Sequence, residues 1–145
     1  MASARTTMVL LMLTALPLSA CGMGKVAECN SFIEAANGAQ EAMRKATSKV
    51  QASDNPADIE SVAQAMEKAG KDITAIELKD DKLKAYQKDY KEMLDKGAKA
   101  CRDMVGAAKS KNLGAMKKAQ TDLGAIGPQE TKIVGDINGY CSGGK

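Results

Sequence analysis

The segment PADIESVAQAMEKAGKDITAIEL, residues 56–78, carries the clearest helical pattern in the chain. Its apolar residues recur every three or four positions, which is the spacing of one face of an α-helix. These residues are Ile59, Val62, Met66, Ala69, Ile73 and Ile76. The triplet Asp54-Asn55-Pro56 opens the segment and supplies a cap followed by a proline in the first turn. The pattern therefore predicts an amphipathic helix from Pro56 to about Leu78.

Two further segments with helical spacing flank this one. An apolar stripe from about Val26 to Val50 predicts a first helix, which a polar turn at residues 51–56 ends. A third helix is expected to start at Asp80-Asp81, because acidic residues suit the positive end of the helix dipole. Its apolar side carries Leu83, Tyr86, Tyr90, Leu94, Cys101 and Val105.

The fourth helical segment begins at Leu113 and contains the pair Gly127-Pro128. We expect a kink or a break there, because a proline inside a helix removes a hydrogen bond and clashes with the preceding turn. Four helices joined by short links predict an all-α fold, an antiparallel up-down-up-down four-helix bundle over residues 26–141. The alternative is a three-helix body with the last segment broken off. Residues 142–145 are expected to form a disordered tail.

The first 20 residues have the organisation of a secretory leader. Met1 to Thr7 contain one positive charge, Arg5, and the run from Met8 to Leu18 is almost wholly apolar. That run is about half of the ~20 residues that a helix needs to cross a bilayer, so a stable transmembrane anchor is not expected. We predict that residues 1–20 are a signal peptide that is removed.

The end of this leader is Leu18-Ser19-Ala20-Cys21. It resembles the lipobox of bacterial lipoproteins in diderm envelopes, whereas an ordinary signal peptide would need no cysteine after the cut. The resemblance implies that the Cys21 thiol receives a diacylglyceryl group, that the leader is cleaved and that the new amino terminus is acylated. Several acyl chains make a lasting anchor, where one chain would be marginal. Residues 21–25 would then be a lipidated tether, and Gly22 in place of an Asp favours the outer membrane over the inner.

Acylation of Cys21 would leave three cysteines, Cys29, Cys101 and Cys141, an odd number for an oxidising compartment. In the predicted bundle, Cys29 and Cys141 lie at the same end. Cys101 lies more than about 20 Å from that end, at ~1.5 Å per helical residue. Because a disulfide needs Cα atoms within about 7 Å, a bond between Cys29 and Cys141 is favoured over either pairing with Cys101. Closing that loop is worth about 4 to 5 kcal/mol in the chain-entropy model.

Composition argues against two classes of function. The chain has no His, the commonest general base and metal ligand, and no nucleophile with an adjacent base can be found, so we expect no enzyme activity. The mature chain keeps 20 of the 21 Lys and Arg residues, since only Arg5 is lost, against 18 Asp and Glu, a net charge of +2. That balance argues against nucleic-acid binding, which needs a concentrated basic face.

Three groups of side chains could carry chemistry, and each also has a simpler explanation. Thioether and thiolate ligands select Cu(I), but the residues that could supply them also suit a helical core, so no metal or cofactor is expected; they are Met43, Cys101, Met104 and Met116. A set of lysines could bind a polyanion, but exposed lysines are ordinary on helices; they are Lys45, Lys49, Lys109, Lys111, Lys117 and Lys118. The carboxylate pairs Asp80/Asp81 and Asp89/Glu92 are explained by capping and surface ion pairs.

Glycines at positions 97, 106, 114 and 124 form no phosphate-binding fingerprint, and we expect them to permit close helix packing. The sequence as a whole predicts a membrane-anchored envelope lipoprotein that binds or scaffolds another envelope component, a protein or a polyanion, without catalysis. The alternative function is a carrier or sensor that holds a small apolar ligand or a soft metal between its helices.

Overall fold

The computed structural model describes residues 21–52 and 55–143, with backbone only at 21–23 and 51–52. The predicted signal peptide, residues 1–20, lies outside this range, as do residues 53–54 and 144–145. The described part is all-helical and has no strand, as the sequence predicts. Its helices are α1 (Cys21–Ala52), α2 (Pro56–Thr74), α3 (Asp81–Lys109), α4 (Leu113–Gly124) and α5 (Ile126–Cys141).

Three of the helices begin at polar caps. The side chain of Asn55 accepts the backbone N–H of Ala57 at the start of α2, with Pro56 in the first turn as expected. The carboxylate of Asp80 caps α3 in the same way, and Asn112 caps α4. A cap side chain satisfies donors that the first turn leaves unpaired, and each is worth about 1 kcal/mol. Local sequence therefore fixes where these helices start.

Two boundaries differ from the sequence prediction. Helix α2 ends at Thr74 rather than near Leu78, because the following connection is held extended by Glu28, whose carboxylate accepts the backbone N–H groups of Lys79 and Asp80 at 2.9 and 3.0 Å. Residues 21–25, which the sequence predicts to be a tether, are helical and belong to α1. No proline interrupts residues 21–26, and the ammonium group of Lys25 lies 3.7 Å from the centre of the Tyr140 ring.

The predicted interruption of the fourth helical segment is present as a break at Ala125 between α4 and α5. Pro128 has no N–H to donate, and its ring is incompatible with a helical carbonyl four residues earlier, at Gly124, where α4 ends. The two pieces pack differently. Helix α5 contacts α1 and α3, whereas α4 packs on α3, and among the described residues no Cα of α4 lies within 8 Å of α1.

One apolar core runs between the helices. Its largest fully buried side chains come from four of the five helices and are Phe32, Ile73, Leu83, Tyr90, Met93, Leu94 and Ile137. The predicted stripe of α2 faces this core, with Ile73 fully buried and Val62 and Met66 nearly so. After α5, Ser142 and Gly143 form a turn. Within the described ranges, none of the helices combines the length and apolar content that crossing a membrane requires.

Candidate binding groove

The first half of α1 is tied to the end of α5 by covalent and polar contacts. Cys29 and Cys141 form a disulfide, with 5.7 Å between their Cα atoms. This is the pair that the sequence favours, and Cys101 is the free, buried thiol. Tyr140, next to the disulfide, donates its hydroxyl to Asp80 at 2.7 Å. The name clamped pole is used below for Lys25, Glu28, Cys29, Asp80, Tyr140 and Cys141.

Asp80 is the centre of the polar contacts at the clamped pole. The hydrogen bond from Tyr140, followed by the backbone N–H of Leu83, lowers the pKa of the Asp80 carboxyl. The same hydrogen bond raises the pKa of the Tyr140 hydroxyl. Asp80 therefore caps α3 and holds α5 at once, so this carboxylate is structural. The pair Asp80/Asp81 has the capping and ion-pair roles expected of it, because Asp81 pairs with Lys84 at 2.8 Å.

On the other side of the molecule, the break at Ala125 leaves an opening between α1 and the joined ends of α4 and α5. It is a groove of about 600 Å³, open to solvent. The name distal groove is used for its lining residues, which are Gln40, Met43, Arg44, Thr47, Ser48, Met66, Leu123, Ile126, Gly127 and Glu130. Because α4 does not reach α1, the groove reaches down to Met66 of α2. Its volume falls in the range of small-molecule sites, roughly 300 to 1,000 Å³.

The floor of the distal groove is apolar. Met43, Met66 and Ile126 are 9%, 7% and 8% exposed, which places each at the margin of the core. Below them Gly97 of α3 is buried, and a Cβ there would lie 2.7 Å from Sδ of Met66 and 3.6 Å from Cγ1 of Ile126. Real side chains do not pack at the first of these distances, so only glycine at position 97 lets Met66 take this position.

A carboxylate stands at the wall of the groove. Glu130 of α5 accepts a hydrogen bond of 2.9 Å, at Oε1, from the hydroxyl of Tyr90 on α3. Tyr90 is fully buried and packs edge to face against Phe32. Burial, followed by the negative charge of Glu130, raises the pKa of the Tyr90 hydroxyl far above its usual value, so it stays protonated and donates. The core therefore fixes the position of a half-buried carboxylate in the groove.

The soft-metal residues named from the sequence are not gathered into one site by any contact in the structure. Met43 lines the distal groove, whereas Met116 lies on α4, which does not approach α1. Burial, followed by the charge of Glu60, raises the pKa of the Cys101 thiol, which disfavours the thiolate that a metal needs. The described residues contain no cluster of three Cys, Asp or Glu side chains able to hold a metal ion. The absence of a cofactor stays a prediction.

The candidate polyanion lysines are divided between helices that lie apart. Lys45 is on α1 and pairs with Glu41 at 3.3 Å, while Lys118 is on α4 and pairs with Asp122 at 2.6 Å. The other four are exposed on α1, α3, α4 and the connection between the last two, and are Lys49, Lys109, Lys111 and Lys117. Of the second carboxylate pair, Glu92 lies 3.8 Å from Lys88. These charges form ordinary solvated helix faces.

The expectation for the glycines is correct at one position and wrong at the other three. Gly97 does permit close packing, but Gly106 and Gly124 have no neighbouring atom within 4 Å of the place a Cβ would occupy. Gly114 faces only the side chain of its own helix cap, Asn112. Close packing needs a glycine that also faces a neighbouring helix, which spacing alone does not reveal.

The residues of the distal groove that matter most were missed from the sequence. In the sequence, Tyr90 is only one member of an apolar stripe. Nothing in the sequence indicates that Glu130 pairs with it, since the two residues are 40 positions apart. The expected break at Pro128 was the one available hint that the fourth helix would open a gap. The predicted lipidation site, Cys21, is described only as the first residue of α1.

No protein-family model, curated protein or solved structure matches this chain. The leader, the clamped pole and the distal groove are the features of the chain that bear on its function.

Proposed function

We propose that this chain is a lipid-anchored protein of a bacterial envelope whose helical body binds another component without catalysis. The observation that supports the binding role is the distal groove, an opening of about 600 Å³ with an apolar floor and one fixed carboxylate. Sites for small ligands have this design, a mostly apolar surface with a few polar groups that orient the occupant. The groove is the proposed binding site.

The anchor is supported by the sequence Leu18-Ser19-Ala20-Cys21. Because Cys21 lies in α1 only eight residues before Cys29, acyl chains on Cys21 would place the clamped pole toward the membrane. Gln40, the first groove residue of α1, lies about 28 Å further along the helix at ~1.5 Å per residue. The groove would then face away from the bilayer. Gly22 in place of an Asp favours the outer membrane.

The arrangement that suits this role is an up-down-up-down four-helix bundle in which α4 and α5 together form a broken fourth helix. The disulfide between Cys29 and Cys141 supports it, because it joins the start of α1 to the end of α5. The hydrogen bonds from Lys79 and Asp80 to Glu28 support it too, since they bring the connection between α2 and α3 to the same end.

A second candidate function, a carrier of a small apolar ligand, is favoured by the size and floor of the groove. The distinction between the two candidates lies in what occupies the groove: a segment of another envelope component, or a free small molecule. Methionine side chains such as Met43 and Met66 adapt to irregular partners of either kind.

The anchor is tested by Cys21→Ser in a diderm host. We expect the variant protein to be released from membranes or to keep its leader, because no thiol is available for acylation. A variant that stays in the membrane fraction with its leader removed would contradict the anchor, and intact mass of the purified protein distinguishes these outcomes.

The groove is tested by native mass spectrometry of protein extracted from membranes in mild detergent. Thr47→Trp places a large ring at the exposed rim of the groove, and Ser31→Trp makes a comparable change on an exposed part of α1 outside it. We expect a co-purifying mass in the native protein and in Ser31→Trp, and its loss in Thr47→Trp. A bound mass that survives Thr47→Trp would place the binding site elsewhere.

A further inference from the structure

The charge at the wall of the distal groove, like that of Asp80, has a tyrosine hydroxyl as its side-chain partner, but it lines an open groove. Eight acidic side chains in the described ranges pair with a lysine or arginine one turn away on the same helix, such as Asp95 with Lys91 and Asp136 with Lys132. Glu130 has no cation within 4 Å among these residues, and its partner is the neutral hydroxyl of Tyr90. It is a half-buried negative charge without a balancing positive charge.

Arg44, the cationic side chain among the lining residues of the groove, is engaged with another carboxylate. Its guanidinium donates two hydrogen bonds of 2.9 Å to Glu41 on its own helix. This contact, followed by the contact with Lys45, lowers the pKa of the Glu41 carboxyl. Arg44 and Glu41 therefore satisfy each other at the rim, and the charge of Glu130 remains available to an occupant.

Glu130 also has unused hydrogen-bonding capacity. A carboxylate offers about four acceptor positions on its two oxygens, and the hydroxyl of Tyr90 uses one of them. Beside it lie the apolar side chains of Met43, Met66 and Ile126. A group that suits this arrangement donates hydrogen bonds, carries a positive charge and is attached to an apolar stem.

We propose that the distal groove binds a small cationic amphiphile, with its protonated amine on Glu130 and its apolar chain over Met43 and Met66. The proposal rests on the proposed function, since it takes the groove to be the binding site, and it adds the chemistry of the ligand. It also predicts that anionic ligands bind this groove least well, because the carboxylate of Glu130 would repel them.

The test compares three probes with one chain and different head groups: hexylammonium, hexanol and hexanoate. The lipidated protein is held in zwitterionic nanodiscs and labelled at its methionine methyl groups, so that the signal comes from the protein rather than from probe dissolved in lipid. We expect hexylammonium to shift the Met43 and Met66 resonances and to bind about tenfold more tightly than hexanol, as charge-assisted hydrogen bonds require. Hexanoate should bind least.

Glu130→Gln removes the charge and keeps an acceptor for Tyr90, so it should abolish the preference for hexylammonium. Asp136→Asn makes the same change in net charge on the same helix, outside the groove, and should leave the preference intact. Equal binding of hexylammonium and hexanol by the native protein would overturn the proposal while leaving an apolar binding groove. If no probe shifts the two methyl groups, the cationic ligand is excluded, and the native mass spectrum of Thr47→Trp still decides whether the groove binds anything.

Discussion

The clamped pole and the distal groove are built from opposite ends of the same two elements, α1 and the broken fourth helix. At the clamped pole these elements are joined by a disulfide, and each is also hydrogen-bonded to the connection before α3, through Tyr140 to Asp80 and through Glu28 to Lys79 and Asp80. At the distal groove no described Cα of α4 lies within 8 Å of a Cα of α1. Pro128 lies just after the break at Ala125: it has no N–H to donate to the helix, and α4 and α5 have different neighbours on the two sides of the break.

This contrast teaches how a small bundle can hold an opening without losing its fold. An unfilled gap between helices forfeits packing, so the remaining contacts must hold the helices in place. A disulfide at one end of the bundle holds the helices in place and leaves the groove at the other end open. The clamped pole is thus expected to supply stability and the distal groove to supply binding.

The largest expected effect is loss of the disulfide. Replacing Cys29 and Cys141 by Ala should lower the free energy of unfolding by about 4 to 5 kcal/mol, because the closed loop spans more than 100 residues. Urea denaturation measures this. Cys101→Ala is the control for thiol removal. It should lower the free energy of unfolding by about 1 kcal/mol, as the deletion of a buried methyl group does. A double variant no less stable than the Cys101 variant would contradict the role of the clamp.

The second effect compares two methionines. Met93 is fully buried, whereas Met43 is 9% exposed and lines the groove. Met93→Ala should lower the free energy of unfolding by about 3 kcal/mol, because it leaves a closed cavity. Met43→Ala should lower it by about 1 kcal/mol less, because the space it leaves is open to solvent. Equal losses in urea denaturation would mean that the groove is closed in solution.

The third effect concerns the hydrogen bond that fixes Glu130. Tyr90→Phe should cost about 1.5 kcal/mol, since a hydrogen bond to a charged group is lost from the core. Tyr86→Phe is the matched control and should change stability by less than about 0.5 kcal/mol. The hydroxyl of Tyr86 makes no hydrogen bond with any described residue. If the two variants are equally stable, Glu130 is not held by Tyr90.

Much of the clamped pole and little of the groove could be predicted from the sequence. The disulfide follows from helix order and helix length, which the stripes of α2 and α3 specify. Caps at Asn55 and Asp80 are likewise local. The pairing of Tyr90 with Glu130 and the contact of Gly97 with Met66 join separate helices in a particular rotation, and no local pattern encodes that rotation.

A smaller effect is expected at Gly97. Gly97→Ala should change stability by less than about 1 kcal/mol, because the gain in helix propensity offsets the displacement of the flexible end of Met66. Because Met66 lines the groove, its displacement should alter the groove floor, and binding of hexylammonium should weaken. Gly106→Ala, at an open position of the same helix, is the control and should leave binding unchanged. Identical binding by both variants would contradict the placement of Met66 beneath the groove.

The smallest effect is a dependence on pH. The folded state lowers the pKa of Asp80, so its contribution to stability is complete above the unfolded value of about 3.9 and is lost as the pH falls through the folded value. Asp80→Asn should therefore flatten the acid side of the stability curve. Asp81→Asn, at an exposed neighbour, should not. If the stability of the two variants falls in parallel as the pH is lowered, Asp80 does not contribute to the clamped pole in the way described.

The openness of the groove is tested most directly by the oxidation of individual methionines with dilute hydrogen peroxide, followed by mass spectrometry. Oxidation to the sulfoxide follows the access of peroxide to sulfur. Met43 and Met66 should oxidise several-fold faster than Met93, and Thr47→Trp should slow the first two without affecting the third. Oxidation of Met43 and Met66 at the rate of Met93 would show that α1 and the broken fourth helix close together, and the distal groove would not exist as a binding site.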